Sequence, residues 1–350
     1  MSYTPFLKFK PNEVAAIKAL DSSLHRALVP FFDLPRIDGL AESSLVKKID
    51  DAYRKYEINL KLLPAFYIDN FDIDDSITIQ GKDNYYYLLE KFGSSKIIPV
   101  VGIDRSPSHN QAVFDNATEL QSDTVAFRVT DENLDYVLYE DEIKHLIEKC
   151  FEYYENIHLI VDNRVCFNID VPQKTKEISD FINKITQDLT FNKIIVTGSS
   201  IPASIRDLLV PGASNIFPRN EINLYRALKI VHPSIFLGDY TVVSPHYSDI
   251  KIKGELMRKV TAPKLFYPYD DLMYITRGHA IDTHQRGIKQ YNDLSAIIIA
   301  KPFYRQPIKS FGDKYLHEKA NNQGKDATPS TIPKPLVNLH ITYMLTDFVF

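Results

Sequence analysis

The chain alternates between short apolar runs and amphipathic helical patterns over about its first 300 residues. Apolar runs separated by helices are typical of parallel strands that are buried on both faces. Eight such runs close a (β/α)8 barrel, so the pattern predicts an α/β protein with a TIM-like barrel over residues 1–301. The predicted strands are Ala27–Leu34, Pro64–Phe71, Lys96–Ile103, Asp123–Thr130, Ile157–Asn163, Asn192–Gly198, Ser234–Tyr240 and Pro263–Gly278.

Amphipathic helices are predicted between several of these strands. An apolar face forms within each of the ranges Ser44–Leu60, Tyr139–Tyr154 and Thr175–Leu189, and a further helix is expected over Asn220–Val231. Asp170 precedes the third helix and is expected to cap it, because its side chain can accept a hydrogen bond from the first turn. These helices are expected to cover the outside of the barrel.

The alternation ends at about Pro302, where the chain becomes rich in proline and polar residues. This composition predicts a loop-like segment, followed by the strand-like apolar run NLHITYM near the C-terminus. We therefore expect residues 302–350 to form an extended C-terminal arm or lid that packs on the barrel. Such packing would bring Asp313 and His340 close to the barrel rim.

Polar side chains stand at or just beyond the carboxyl ends of most of the predicted strands. Barrels of this class carry their functional groups at that end, because the loops that follow the strands share one mouth. Five of these side chains are predicted to converge on one polar pocket. They are Asp33, Arg128, Asp162, Asp239 and Arg277.

The candidate catalytic residues are three carboxylates and one histidine. Asp33 and Asp239 could act as a general acid and base if the barrel brings them to one side of the mouth, and Asp162 has the same potential. The alternative is that each acid caps the following helix or pairs with an arginine. His340 could transfer a proton or bind a ligand at the rim, but a lone histidine in an apolar run is more often structural.

The candidate ligand-binding residues are mostly cationic. Arg128, Arg219 and Arg277 could clamp a phosphate or carboxylate, because a guanidinium binds such groups in bidentate fashion, or each could neutralise an aspartate of the mouth. The TGSS segment that contains Ser199 offers backbone amides for an anion, although a simple tight turn explains it as well. The remaining candidates for ligand contact are Lys8, Tyr240 and Asp313.

Composition narrows the classes of function. The 41 basic and 45 acidic residues give a net charge of -4, which makes a broad nucleic-acid surface an unfavoured interpretation. The two cysteines form no CxxC motif and the histidines form no HxH or HExxH motif, so the sequence predicts no metal site and leaves the cofactor open. The N-terminus lacks an apolar signal core and no stretch has the length of a membrane span, so a cytoplasmic location without membrane contact is expected.

Four segments, taken in order, carry a resemblance to a known family. They are YTPFLKFKPNEVAAIKAL, PRNEINLYRAL with FLGDYTVVSP, YITRG, and SFGDKYLHEKAN with NLHITYML. In this order they resemble the phage-associated beta protein family from end to end. The positions that carry the resemblance are Lys8, Lys10, Glu13, Arg219, Glu221, Gly238, Asp239, Tyr240, Arg277, Gly278, Gly312, Asp313, Asn338 and His340. Where the family pattern has two adjacent histidines, this chain has Leu339 followed by His340, which weakens any model with a histidine pair as metal ligands.

The resemblance implies a role in conflict between phages and hosts or between phages. Members of the family occur in phages, satellite phages and bacterial mobile elements, and at least one is linked to a neighbouring killer gene and to phage exclusion. We therefore expect a defence, exclusion or toxin-regulating protein whose polar barrel mouth binds a small anionic ligand or a protein trigger. Two alternatives stay open: a barrel enzyme acting on a phosphate ester or nucleotide, and a purely protein-binding regulator whose partner is a neighbouring toxin, an effector or a phage protein.

Overall fold

Parallel strands form a ring at the centre of the fold. The structure is a computed structural model that describes residues 3–36, 39, 41–247 and 261–350. The strands of this part of the chain are β1 (Tyr3–Lys8), β2 (Phe31–Asp33), β3 (Phe66–Asp69), β4 (Thr78–Ile79), β5 (Lys82–Asp83), β6 (Ile97–Ile98), β7 (Val100–Val101), β8 (Thr124–Thr130), β9 (Asn156–Val165), β10 (Lys193–Ser199), β11 (Ser214–Pro218), β12 (Phe236–Asp239), β13 (Lys264–Tyr269) and β14 (Leu272–Arg277). The ring runs in the order β6, β3, β2, β1, β12, β10, β9, β8 and β7.

The ring closes through a strand that Pro99 divides into β6 and β7. The first half pairs with β3 and the second half pairs with β8, and every pair around the ring is parallel. Proline has no backbone N–H to donate to a ladder, so a break at this position is expected. The predicted barrel fold is confirmed.

One predicted barrel strand is wrong, and an unpredicted one takes its place. The run Pro263–Gly278 is not a barrel strand; it forms the antiparallel hairpin β13–β14, which pairs with β11 in a separate three-stranded sheet. Antiparallel strands joined by a tight turn cannot both continue a parallel ring. The ring is completed instead by β1, whose first half pairs with β12 and whose second half pairs with β2.

Helices connect the strands and cover the barrel. Those of the described residues are α1 (Pro11–Lys18), α2 (Ser22–His25), α3 (Glu42–Asn59), α4 (Asn84–Phe92), α5 (Pro107–Asp115), α6 (Glu140–Tyr153), α7 (Val171–Asp188), α8 (Asn220–Val231), α9 (Gln290–Ile299), α10 (Phe311–Ala320) and α11 (Pro333–Thr346). The four predicted helices correspond to α3, α6, α7 and α8. Asp170 caps α7 as predicted, since its carboxylate accepts a hydrogen bond from the amide of Gln173 at 3.0 Å. Among the described helices, none combines the length and apolarity needed to cross a bilayer.

A layer of apolar side chains fills the inside of the barrel. Because successive residues of a strand point to opposite faces, every second residue of each barrel strand faces this interior. Phe6 stacks on Phe31 with 4.4 Å between the ring centroids. A Cβ atom at Gly238 would lie 2.7 Å from the ring of Phe6, so glycine at this position makes room for the aromatic stack. The inner layer is Phe6, Phe31, Tyr67, Ile98, Val100, Ala126, Ile160, Ile195 and Tyr240.

The C-terminal segment is helical, which corrects two predictions. The segment expected to be loop-like contains α10, which Ser310 caps, and the strand-like run NLHITYM lies within α11. Every residue from Pro335 to Met344 is buried, so α11 shows no polar face that would mark a helix in the sequence. The side-chain amide of Asn338 joins α11 to the barrel side by donating to the carbonyl of Ala16 at 3.0 Å.

Gly312→Ala should lower the free energy of unfolding by about 1–3 kcal/mol, the usual cost of overpacking a tight contact. A Cβ atom at Gly312 would clash with the backbone carbonyl of Pro335 and lie 2.5 Å from Cβ of Leu339, so α10 and α11 would have to separate. Gly93→Ala is the matched control, because its Cβ atom would lie no closer than 3.4 Å to any neighbour. Urea denaturation measures both variants, and an equal effect of the two would contradict this account of the contact.

Candidate functional site

A layer of charged side chains lies above the apolar layer, at the carboxyl ends of the barrel strands. Each of these residues follows an inward apolar residue by two positions, so the alternation of the strand directs it inward as well. The pairs are Phe6 and Lys8, Phe31 and Asp33, Tyr67 and Asp69, Ala126 and Arg128, and Ile160 and Asp162. We call this layer, together with the charged side chains that pair with it, the mouth cluster.

Arg128 is the centre of the mouth cluster. Its guanidinium donates from Nη1 to Asp33 at 3.0 Å and to Asp69 at 2.7 Å, and from Nη2 to Asp162 at 2.6 Å and to the hydroxyl of Tyr240 at 2.9 Å. The side chain is fully buried. Burial alone would lower the pKa of Arg128, but the surrounding carboxylates outweigh it and raise this pKa well above its ordinary value. Arg128 is therefore a permanent cation that holds three strands together.

Three further cations pair with the carboxylates of the mouth. Lys8 donates to Asp33 at 3.2 Å and also pairs with Asp72, and Arg105 donates to Asp69 at 2.5 Å. Arg164 lies 3.8 Å from both Asp72 and Asp162. The mouth cluster therefore contains four cations, namely Lys8, Arg105, Arg128 and Arg164, and five carboxylates, namely Asp33, Asp69, Asp72, Asp104 and Asp162.

The cations fix the protonation of two of these carboxylates. Burial alone would raise the pKa of Asp33, but the cations of Lys8 and Arg128 outweigh it and hold this pKa well below its usual range. The pKa of Asp162 is lowered as well: burial opposes the shift, and Arg128 and Arg164 outweigh it. Both carboxyl groups are thus ionised at neutral pH, which makes them weak bases and removes the proton that a general acid would need.

Two aromatic rings gather the cations of the mouth. The guanidinium carbons of Arg105, Arg128 and Arg164 lie 4.3, 4.6 and 4.3 Å from the centroid of Phe71. On the rim, Tyr247 has Lys8 and Lys10 at 5.4 and 5.5 Å and the guanidinium carbon of Arg36 at 4.7 Å. Such contacts stabilise each cation through the negative face of the ring. They also bring like charges together around one point.

Arg164 combines its place in the mouth with an unusual backbone. Its φ is 50°, in the left-handed region that residues other than glycine rarely adopt, and it lies beside an irregularity in the pairing of β9 with β10. The amide of Arg164 donates to Asp162 at 2.9 Å, which holds this conformation. Backbone strain of this kind concentrates at functional sites, so Arg164 belongs with the candidate site although its position in the sequence did not single it out.

Asp239 forms a second cluster outside the barrel wall, which we call the outer cluster. Its neighbour Tyr240 faces the interior, so the side chain of Asp239 points outward. There it accepts hydrogen bonds from Tyr3 at 2.7 Å and from Arg219 at 2.7 Å, and Nε2 of His340 lies 2.8 Å from its Oδ2 atom. The predicted convergence of Asp239 with Asp33 in the mouth is therefore wrong, and His340 contacts Asp239 outside the barrel wall instead of at the mouth.

The remaining candidates lie apart from the mouth cluster. Arg277 belongs to β14 and donates to the carbonyl of Leu209, so its predicted place in the mouth is wrong. Asp313 accepts hydrogen bonds from Tyr267 of β13 at 2.8 Å and from Arg305 of the C-terminal segment at 2.7 Å. Ser199 donates to the carbonyl of Val243 at 3.0 Å and supports a loop near the rim.

Sequence reasoning did not select Asp69, Asp72, Arg105 or Arg164 as candidates. All of them follow barrel strands or end them, in the segments FYIDNFD, VGIDRS and VDNRV. The signal that could have found them is the spacing of two from an inward apolar residue, or a position one turn beyond the strand end. To apply this spacing, one must know which residues of each strand face the barrel interior, and the sequence alone does not show this.

Openings adjoin the mouth cluster on several sides, and one of about 420 Å³ is lined by residues that include Arg36 and Asp72. A polar groove of about 560 Å³ is lined by residues that include Phe71, Arg105 and Arg164. Another space of about 350 Å³, which we call the lateral cavity, lies between the mouth and the C-terminal helices and is lined by residues that include Lys10 and Leu336. Concave spaces at this end of a barrel are the usual place for ligands.

Comparisons with known proteins identify the family. No curated protein matches the chain. A solved structure with similarity is the arginine decarboxylase of Paramecium bursaria Chlorella virus bound to agmatine, with 13% identity, a TM-score of 0.28, and coverage of 68% of this chain and 57% of that one. The chain thus spans 57% of the length of that enzyme chain. The family model described as Beta protein matches residues 3–346, nearly the whole chain, and the protein therefore belongs to the Beta protein family.

Proposed function

We propose that this protein acts in conflict between phages and their hosts by binding a small anionic ligand at the barrel mouth. The observation that carries the proposal is the group of cations around Tyr247. Lys8 is paired with carboxylates, but Lys10 and Arg36 form no ion pair with any carboxylate of the described residues. They surround the ring at the edge of a mouth cluster whose four cations are all paired with carboxylates.

Unpaired cations held around one ring repel each other, and a bound anion relieves that repulsion. Within the part of the chain that the structure describes, the ammonium of Lys10 and the guanidinium of Arg36 have no carboxylate partner, and an arginine fork matches a phosphate or carboxylate. The mouth cluster supports this arrangement from below, because Lys8 joins it directly to the rim. Binding is thus favoured by charge and by position.

The same geometry argues against acid–base chemistry by the predicted carboxylates. Asp33 and Asp162 have lowered pKa values and are saturated by cations, so neither is poised to exchange a proton near neutral pH. Asp239 faces away from the mouth and contacts His340 in the outer cluster. We therefore favour a binding role over an enzyme acting on a phosphate ester.

The double variant Lys10→Ala with Arg36→Ala should lose protection in a phage-challenge assay by roughly tenfold or more, the effect of losing about 1.4 kcal/mol of binding. It should keep its thermal midpoint, because the two side chains lie at the rim. The matched control removes two surface cations, Lys314→Ala with Arg286→Ala, whose side chains are 68% and 45% exposed. If the rim variant protects as well as its parent while both fold, the rim does not carry the function.

A further inference from the structure

A further layer of side chains lies below the apolar layer, at the amino ends of the barrel strands. Each of these residues precedes an inward residue by two positions, so the alternation of the strand directs it into the barrel interior as well. Several of them are only partly buried, so solvent reaches the interior from this end. These are Val29, Ala65, His158, Lys193 and Phe236, and we call the place that they surround the basal opening.

Lys193 brings a cation without a counter-charge to the basal opening. Its ammonium donates to the hydroxyl of Thr4 at 3.5 Å and lies 4.9 Å from the centroid of the Phe236 ring, but it forms no ion pair with a carboxylate of the described residues. Burial lowers the pKa of Lys193 to about 8, so the side chain is mainly protonated at neutral pH. A partly buried charge without a counter-charge carries a free-energy cost, and a bound anion reduces this cost.

His158 presents an N–H donor at the same opening. It lies on the neighbouring strand, in register with Lys193, and its Nδ1 atom is 2.8 Å from the hydroxyl of Tyr67. Burial, together with the charge of Lys193, lowers the pKa of His158 to about 4 although Asp123 opposes this shift, so the ring is neutral at pH 7. The buried hydroxyl of Tyr67 has no other partner among the described residues, so it donates to Nδ1, and the single ring proton of His158 is on Nε2. The Nε2–H group itself has no acceptor in the described part of the chain.

The donors at the basal opening match an anion with one negative charge. Lys193 supplies one cation and His158 supplies one neutral donor, while the side chains that surround them are apolar. A carboxylate has one negative charge and two oxygens, so it can accept from both donors. The next lysine of this layer, Lys96, is exposed to solvent and does not affect the pKa of His158 as Lys193 does, so a second negative charge would meet no further cation here. The basal opening therefore suits a carboxylate that is attached to a small apolar group.

We propose that the basal opening binds a small monocarboxylate, whose oxygens accept from Lys193 and His158 and whose apolar part packs on Phe236. The amino end of such a barrel ordinarily serves stability, but a lysine that pairs with no carboxylate does not join strands in that way. The basal opening lies at the opposite end of the barrel from the mouth cluster. The inference is therefore independent of the proposed function.

The test is isothermal titration of the full-length protein at pH 7 with butyrate and benzoate, each compared with phosphate and chloride at equal ionic strength. We expect saturable binding of at least one carboxylate, and at least roughly tenfold weaker binding of the two inorganic anions. Equal binding of phosphate would overturn the assignment to a carboxylate. If neither butyrate nor benzoate binds, the inference fails.

Two variants locate the site. Lys193→Met should weaken binding of the carboxylate by roughly tenfold or more, because the cation is lost, and its thermal midpoint without ligand should not fall. His158→Asn should weaken binding by a similar factor, because the amide oxygen can replace Nδ1 as the acceptor for Tyr67 while no donor replaces Nε2. Lys176→Met, on the outside of α7 with a side chain 75% exposed, is the control and should leave binding unchanged. Unchanged binding in both Lys193→Met and His158→Asn would place the carboxylate elsewhere and overturn the proposed site.

Discussion

Replacing Arg128 with methionine should lower the free energy of unfolding by about 3–5 kcal/mol, the cost of removing one partner from a buried group of charges. Methionine keeps an unbranched apolar stem but supplies none of the donors of the guanidinium. The carboxylates of Asp33, Asp69 and Asp162 would then lie buried around an uncharged side chain. Arg128→Lys should recover only part of the loss, because one ammonium cannot reproduce the fork that reaches three strands.

Arg286→Met is the matched control for this experiment. Arg286 also pairs with an aspartate, Asp293, but the two side chains are 45% and 47% exposed. Exposed ion pairs contribute about 0.2–1 kcal/mol to stability. The free energy of unfolding of this variant should therefore lie within about 1 kcal/mol of the parent value. Urea denaturation followed by circular dichroism measures both proteins. A similar loss in the two variants would contradict the central position of Arg128 in the mouth cluster.

The barrel could be predicted because its strands and helices have different periodicities. Continuous apolar runs such as Asp123–Thr130 mark strands buried on both faces, and the spacing within Asn220–Val231 marks a helix with one buried face. The observed elements Thr124–Thr130 and Asn220–Val231 agree closely with these runs. The local sequence is sufficient here, because each segment has its own pattern of apolar and polar positions.

The error at the eighth strand has a physical cause. Pro263–Gly278 is longer than an ordinary barrel strand and contains an Asp270–Asp271 turn, with Asp270 at a φ of 46°. Those features indicate a hairpin. The true strand, Tyr3–Lys8, is short and contains Pro5, which usually argues against a central strand. It is tolerated because the pairing of β1 changes from one neighbour to the other at this residue.

The candidate site was predicted in part, because strand ends are readable from sequence but the phase of a strand is not. The two faces of a buried parallel strand are equally apolar. The sequence therefore does not show which of Asp239 and Tyr240 faces the barrel interior. Asp162 and Arg128 were placed in the mouth, and the structure brings them together at 2.6 Å. Which carboxylate each arginine meets depends on contacts between distant strands, and these follow only from the closed ring.

The two charged clusters connect different parts of the fold. The mouth cluster joins barrel strands to one another around Arg128. The outer cluster instead joins β12 to the C-terminal helix α11, through Asp239 and His340, and to the start of α8 through Arg219. Because α11 forms part of the wall of the lateral cavity, the outer cluster also supports this wall.

Asp239→Asn should therefore lower the free energy of unfolding at pH 7 by about 1.5–3 kcal/mol, because Arg219 loses one of its two buried counter-charges and keeps only Glu221. The effect should depend on pH with a definite sign. Burial alone would raise the pKa of Asp239, but His340, Arg219 and Tyr3 outweigh it and hold this pKa well below its usual range. The carboxylate thus stabilises the fold above the unfolded-state pKa of about 3.9, and this contribution is lost as the pH falls through the lower folded-state pKa.

The expected result is a difference in the free energy of unfolding between parent and variant, which we call the gap. The gap stays constant from pH 7 to about pH 5 and narrows below about pH 4. Urea denaturation at a series of pH values measures the gap directly. The control Asp293→Asn removes the exposed partner of Arg286 and should show a gap within about 1 kcal/mol throughout this range. If the gap for Asp239→Asn widens on acidification, the ionised carboxylate does not stabilise the fold. The outer cluster would then not attach α11 to the barrel.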